Sequence, residues 1–236
     1  MHHFRAPDAR RFAGAALVIG VAFVVFGASF GVLAVSAGCS VWQACAMSLL
    51  VFTGASQMSA VSVVAAGGSP ASAFGGAALL AARNAVYGLA LSPVLKGGMR
   101  SRLVGAQWVI DETTAIVTAE RDSATRSTAF WVSAPILYAA WNLGTLIGAI
   151  VGTSVNPETF GLDAAFPVMF TAMLAPHLAT SRGRRAALFG GVVAVALAPV
   201  LPIGLPILVS AVGILFGLPP EPADDAAAPS RTDGAP

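Results

Sequence analysis

The chain has 236 residues, 56% hydrophobic and only 10% charged, where a soluble domain carries about 25% charged residues. Its mean hydropathy is +0.79. That shortage of charge exceeds what a buried core explains, so composition excludes a soluble enzyme, a nucleic-acid binder and a secreted disulfide scaffold. The chain reads as an integral membrane protein. The net charge is +2, and Lys96 is the only lysine among 13 basic residues. The arginines fall in short clusters rather than on the continuous basic face that nucleic acid requires. Such clusters are topology signals between membrane segments.

Apolar runs divide the chain into eight segments, at about 12–37, 41–66, 71–95, 103–119, 127–152, 163–179, 186–201 and 203–218. The first follows Arg5, Arg10 and Arg11 and has a signal-peptide outline. Its apolar run is too long for a signal peptide's core of about 7–15 residues, and long enough for the roughly 20 that span a bilayer. The second is interrupted at Gly54-Ala55-Ser56-Gln57, and the fourth contains Asp111 and Glu112. Continuous runs of this length are not barrel strands, which alternate over about 10 residues. Inside a membrane they must be helices, because each backbone polar group has to be paired internally.

The expected fold is an all-α, polytopic transmembrane helical bundle of about six to eight spans with broken or re-entrant segments. Residues 1–11 form a cytoplasmic N-terminal segment, 12–218 the transporter domain, and 219–236 a disordered tail rich in Pro, Ala and Asp. Arg5, Arg10, Arg11 and the Arg182, Arg184, Arg185 cluster place their ends in the cytoplasm; the loop with Glu158 and Asp163 faces out. Lys96, Arg100 and Arg102 also belong inside. If every segment crosses, they land outside. The conflict vanishes if segments 41–66 and 103–119 do not cross; otherwise there are eight spans and one violation. The sequence leaves both open. An internal repeat is suggested between the segments that open at Gly38 and Gly161 and break near Gly54 and Pro176.

Broken helices in a membrane protein point to a transport site. The second half of such a helix begins with unpaired N–H groups and a positive dipole end, which attract an anion. Gly54, Ser56 and Gln57 stand at one break; close helix packing by small residues is the competing reading. Arg83, Asn84 and Tyr87 form a second cluster, with 83 and 87 on one helical face. An arginine at membrane depth is costly and must face the protein interior or a wet cavity. Asp111 and Glu112 are its natural partners. A buried pair that only sets helix register would look the same in sequence. Adjacent helical carboxylates point about 100° apart and make no catalytic pair, and neither a nucleophile nor a metal motif accompanies them. No catalytic residue, cofactor or metal is expected. His177 follows Pro176 and either gates a proton or lies at the cytoplasmic end near Arg182. Cys39 and Cys45 read as packing residues. Asn142 is expected to bond across helices.

These residues carry a resemblance. The run Ser48–Gln57, the run Arg83–Pro93, Asp111-Glu112-Thr113, and the patch Gly161-Leu162-Asp163 with Phe166-Pro167 together resemble the AzlC family of branched-chain amino acid exporters, from about residue 12 to 217. The resemblance implies export of leucine, valine, isoleucine and toxic analogues across a bacterial inner membrane. It also implies a small AzlD-like membrane subunit as partner. One departure is Asn84, where His is expected in many relatives; this weakens a proton-carrying role at that position. The expected function is therefore secondary transport of small apolar amino acids, driven by protons or membrane potential. Its alternatives are a non-transporting scaffold subunit and a passive channel.

Overall fold

The computed structural model describes residues 6–154, 171 and 174–217, and among them holds nine α-helices and no strand. Helix α1 spans Ala6–Ser36, α2 Val41–Leu50, α3 Gly54–Ala65, α4 Pro70–Leu91, α5 Met99–Gln107, α6 Asp111–Thr118 and α7 Ser123–Gly152. Helix α8 spans Ser181–Leu197; α9, Leu205–Ser210, tightens into a 3-10 turn over Ala211–Phe216. Polar residues start several of them. Ser40 accepts a bond from the Gln43 N–H while the Gln43 side chain accepts one from the Ser40 N–H. Ser69 caps α4 ahead of Pro70, and Asp122 caps α7. These side chains satisfy N–H groups that a helix start leaves unpaired.

Helices α1, α4 and α7 are each long and apolar enough to cross a membrane. The chain is an all-α membrane helical bundle. Its spine is the seam between α1 and α7, where small residues recur every four positions. A methyl group placed on Gly148 would overlap the Ala28 carbonyl, and one on Gly144 the Val24 carbonyl. From the other side, Gly27 and Gly31 face the backbone of Trp141 and Thr145. Bare Cα atoms therefore let the two backbones touch, as small residues at i and i+4 do between membrane helices. The contacts pair Val24 with Gly144, Ala28 with Gly148 and Val32 with Gly152. Both numbers rise together, so the two helices run parallel. An ion pair between Arg11 and Glu120 ties their starting ends.

Helix α4 runs the other way. Its terminal Leu91, with Val94 and Leu95, packs with Phe12 at the start of α1 and with Ala129 and Phe130 at the start of α7. This end of the bundle also receives Val117 near the end of α6. Thus α5 leaves this end, the chain breaks at residues 108–110, and α6 returns to it. The other broken segment mirrors this arrangement. Helix α2 starts beside the end of α1, where Ala34, Ala44 and Ala149 share one cluster. Its Ser48 hydroxyl bonds Thr145 of α7 at 3.0 Å. After a break at residues 51–53, α3 runs antiparallel to α4, with Ser59 against Gly76. It ends where α4 begins. Each broken segment is therefore a hairpin that returns to the end it came from. The turns at the α2–α3 end contain Gly38 and Gly67 with φ of 93° and 82°, a backbone shape that suits glycine.

This geometry resolves the conflict over the basic residues. Arg10, Arg11, Lys96, Arg100, Arg102, Arg121 and Arg126 flank helix ends that meet in one cluster. Helix α9 starts beside Ser72 near the start of α4 and runs along it, and α8 packs antiparallel to α9 through Gly190 and Gly213. Arg182, Arg184 and Arg185 at the start of α8 therefore lie toward the same basic end. The turns at the other end, residues 37–40 and 66–69, carry no charge. Among the described residues, Arg83 is the one basic side chain away from the basic end.

Several sequence expectations meet the structure directly. Segments 41–66 and 103–119 are both broken. The suggested repeat with residues 161–177 lies mostly outside the described residues, as do the patch 161–167, Glu158 and Asp163, and the tail. A different repetition is present: a long helix followed by a broken hairpin, once as α1–α2–α3 and again, inverted, as α4–α5–α6. Cys39 and Cys45 are free, and Cys39 packs against the first core cluster. The Asn142 amide donates to the Tyr138 carbonyl of its own helix at 2.8 Å, not across helices; that carbonyl lies one turn back and needs no second helix.

The seam makes a sharp prediction. Gly148→Leu should cost about 3 kcal/mol or more, because overpacking here strikes backbone rather than a mobile side chain. Gly14→Leu, with open space around its Cα, should be silent. Thermal unfolding in detergent compares the two, and equal stability would show that the seam is not tightly packed.

Candidate functional site

The two hairpins meet at their tips. Gln107, the last residue of α5, donates its amide to the carbonyls of Leu49 and Leu50 at 3.1 and 2.9 Å. The Tyr138 hydroxyl donates to Leu49 O at 2.9 Å. Both acceptors are final carbonyls of α2, which no intrahelical N–H can reach. At the opposite tip, Thr113 accepts from the Ile110 N–H and donates toward Trp108 O. The breaks are thus held by specific polar bonds.

Between the tips lies a cavity of about 280 Å³. Its apolar walls are Phe23, Phe26, Phe52, Ala55, Ile110 and Trp141; its polar side is Thr53, Arg83, Asn84, Asp111 and Glu112, with Gly54 between. The first residues of α3 and of α6 both line it. Two half-helices therefore direct their positive dipole ends at one space. At α6 that end is already answered by Asp111 and Glu112 in its own first turn. At α3 it meets no acid in the first turn, and Thr53 makes no side-chain cap there.

Arg83 Nη1 lies 2.8 Å from Asp111 Oδ2, and both side chains are about one-third exposed, at 32% and 29%. Arg83 Nε, Trp141 Nε1 and Thr53 Oγ1 are buried without partners. All three residues line the cavity, and these particular atoms lie covered beneath its surface. The pair thus leaves guanidinium donors unused, beside a spare indole donor and a spare hydroxyl. The edge of the Trp141 ring stands 3.1 Å from where a methyl on Gly54 would be, so a larger residue at 54 would press on that ring.

The structure brings together Gly54, Arg83, Asn84, Asp111 and Glu112 from the sequence-derived set. It does not bring Tyr87 onto the wall. One turn beyond Arg83, Tyr87 packs beside the second core cluster with Leu91 and Phe130. Ser56 and Gln57 are buried in α3 beyond the cavity wall. His177 is exposed in a 3-10 turn ahead of α8, and its carbonyl accepts from Thr180. It makes no ion pair with the cavity carboxylates, because its turn leads into a helix that packs on α9 instead. Sequence reasoning missed the aromatic walls. Their one signal was the depth of Trp141 within its segment.

The fold and site define a membrane protein whose two broken hairpins enclose a charged, apolar-walled chamber. A family model described as AzlC protein matches residues 18–155, more than half of the chain, and the chain belongs to the AzlC family. That match ends just after α7 and short of the patch at 161–167. Two relatives in Helicobacter pylori, each named "Uncharacterized membrane protein", are 24% identical (strain ATCC 700392 / 26695) and 25% identical (strain J99 / ATCC 700824). Each alignment runs over 175 residues, 73% of this chain and 77% of the relative. No solved structure matches.

A double-mutant cycle tests the pair. Arg83→Gln or Asp111→Asn alone should cost about 1–2 kcal/mol, less than the 3–5 of a fully buried pair, since each leaves a lone charge in a partly wet site. The double variant should recover most of that loss. Additive losses in thermal unfolding would show that the two side chains do not interact.

Proposed function

We propose that this chain is a secondary transporter that exports small apolar amino acids such as leucine, isoleucine, valine and methionine. One observation carries the reading: charges of both signs and an unanswered helix N-terminus face one apolar chamber. An amino acid zwitterion is the matching solute. Its carboxylate would meet the start of α3 and the exposed part of the Arg83 guanidinium. Its ammonium would meet Glu112 and the Asp111 oxygens. The aliphatic side chain would lie among Phe23, Phe26, Phe52 and Ile110. A cavity of about 280 Å³ falls just below the roughly 300–1,000 Å³ of pockets for drug-sized ligands, which suits one amino acid.

Selectivity should be broad among aliphatics, because one methylene in an apolar pocket is worth about 1–3 kcal/mol. Coupling is assigned to protons or membrane potential, with Glu112 as the proton-carrying group since Asp111 is engaged by Arg83. The basic end is assigned to the cytoplasm of a bacterial inner membrane, and a small AzlD-like subunit is the proposed partner. A scaffold subunit would need the polar residues only for assembly, whereas the chamber keeps donors unused. A passive channel would conduct without saturating.

Efflux from dipeptide-loaded cells carrying this chain and a candidate small subunit tests the proposal. Release of Leu, Ile, Val or Met should rise and saturate, and leucinamide, which lacks the carboxylate, should neither leave nor compete. Arg83→Gln and Glu112→Gln should abolish the gain while the protein stays in the membrane. No change for any amino acid would remove the exporter reading. For orientation, in a Cys39→Ser, Cys45→Ala chain, an impermeant thiol reagent on intact cells should label Ala66→Cys at once, and Gly98→Cys only after the membrane is opened. The reverse pattern would invert the assignment.

A further inference from the structure

The chamber accounts for Gly54 but not for the polar side chains that follow it along α3. Ser56, Gln57 and Ser59 are only 2%, 1% and 6% exposed. The Ser56 and Ser59 hydroxyls and both ends of the Gln57 amide meet no hydrogen-bond partner. Buried polar atoms are almost always paired, and where protein does not pair them ordered water does. Close helix packing does not explain them either. Alanine serves that purpose without polar atoms, as Ala55 and Ala73 do nearby, and glutamine is too large for it.

Their placement is ordered. Thr53, with its own unpaired buried hydroxyl, is a wall of the chamber. Ser56 and Ser59 follow at three-residue steps, which keep one helical face. Opposite Ser59, α4 offers no side chain: a methyl on Gly76 would stand 3.3 Å from the Ser59 hydroxyl. One turn toward the start of α4 comes buried Ser72, whose hydroxyl bonds that of Ser69 at 3.0 Å. Ser69 caps α4 at the end of the bundle opposite the basic one. The series thus leads from the chamber to that end.

We propose that Thr53, Ser56, Ser59 and Ser72 line a file of ordered water between α3 and α4. This file connects the chamber with the end opposite the basic one, so that hydrated protons and small cations reach Glu112 from that side without entering lipid. The water path stands whichever solute the chamber carries; its use for coupling rests on the transport reading above.

Silver ion is a suitable probe, because it is small, travels through water and blocks thiols. Ser56→Cys, Ser59→Cys and Ala134→Cys would each be made in a Cys39→Ser, Cys45→Ala chain and reconstituted in lipid vesicles. Thiols left unblocked would be counted with a fluorescent maleimide after denaturation. Ala134 lies fully buried among apolar residues and supplies the dry reference. Cysteines at 56 and 59 should react with silver about tenfold faster than the one at 134, which close packing keeps dry. Adding Gly76→Val to Ser59→Cys should remove most of that difference by filling the gap; Gly76→Ala serves if the larger residue fails to fold. Equal rates at 59 and 134 would overturn the proposal. So would a fast Ser59→Cys that Gly76→Val or Gly76→Ala leaves unaffected. No transported solute is read, so a failed export assay leaves this result standing, and the converse.

Discussion

A chain that stops being helical in the middle of a membrane must find partners for the backbone it exposes. Bulk water is absent there, and each unpaired N–H or C=O is costly. This protein breaks two helices and pairs much of the exposed backbone through the other hairpin and α7. Gln107 and Tyr138 take the last carbonyls of α2, and Thr113 bonds backbone on both sides of residues 109–110. The breaks are thereby confined to one depth. The chamber exists because two tips that end there cannot also fill the space between them. The α1–α7 seam holds this arrangement, since α2 is pinned to α7 by the Ser48–Thr145 bond and Trp141 forms a chamber wall.

The electrostatics follow from the same layout. A half-helix that starts in the interior brings a positive end with it. At α6 the sequence supplies two carboxylates, and Arg83 offsets one of them. At α3 it supplies neither. The chamber is therefore neither uniformly acidic nor uniformly basic; charges of both signs share one polar side, and aromatic rings form the rest of the wall. A solute with one charge would leave part of this arrangement unanswered. One with both charges and an apolar body would answer all of it.

Much of this was legible in the residues, for physical reasons. Gly54 and the Asp111-Glu112 pair disrupt runs that are otherwise uniformly apolar, so both breaks could be placed, and an arginine at depth required an acid. The two hairpins could be suspected from where Lys96, Arg100 and Arg102 fall. The aromatic walls were not legible. In a helix apolar on every side, Phe23 facing a chamber and Leu17 facing outward belong to the same kind of pattern. Tyr87 shares a helical face with Arg83, yet one turn of rise moves it about 6 Å along the axis, from the chamber to the packed cluster below. His177 suggested chemistry by type alone; its surroundings depend on how α8 packs, which no local pattern encodes.

The uneven distribution of charge also bears on how the protein is made. In the proposed orientation, with the basic end inside, the turns delivered across the membrane at 37–40 and 66–69 read Ala-Gly-Cys-Ser and Ala-Gly-Gly-Ser. They are short, small and uncharged. Because both hairpins return to the side they came from, the basic stretch from Lys96 to Arg102 need not be carried over at any stage of synthesis. Helices α1 and α4 are two simple opposed spans. Arg83 then enters on α4 ahead of Asp111, which follows 28 residues later in the chain, so for a brief interval the inserted helix carries this cation without its counter-ion.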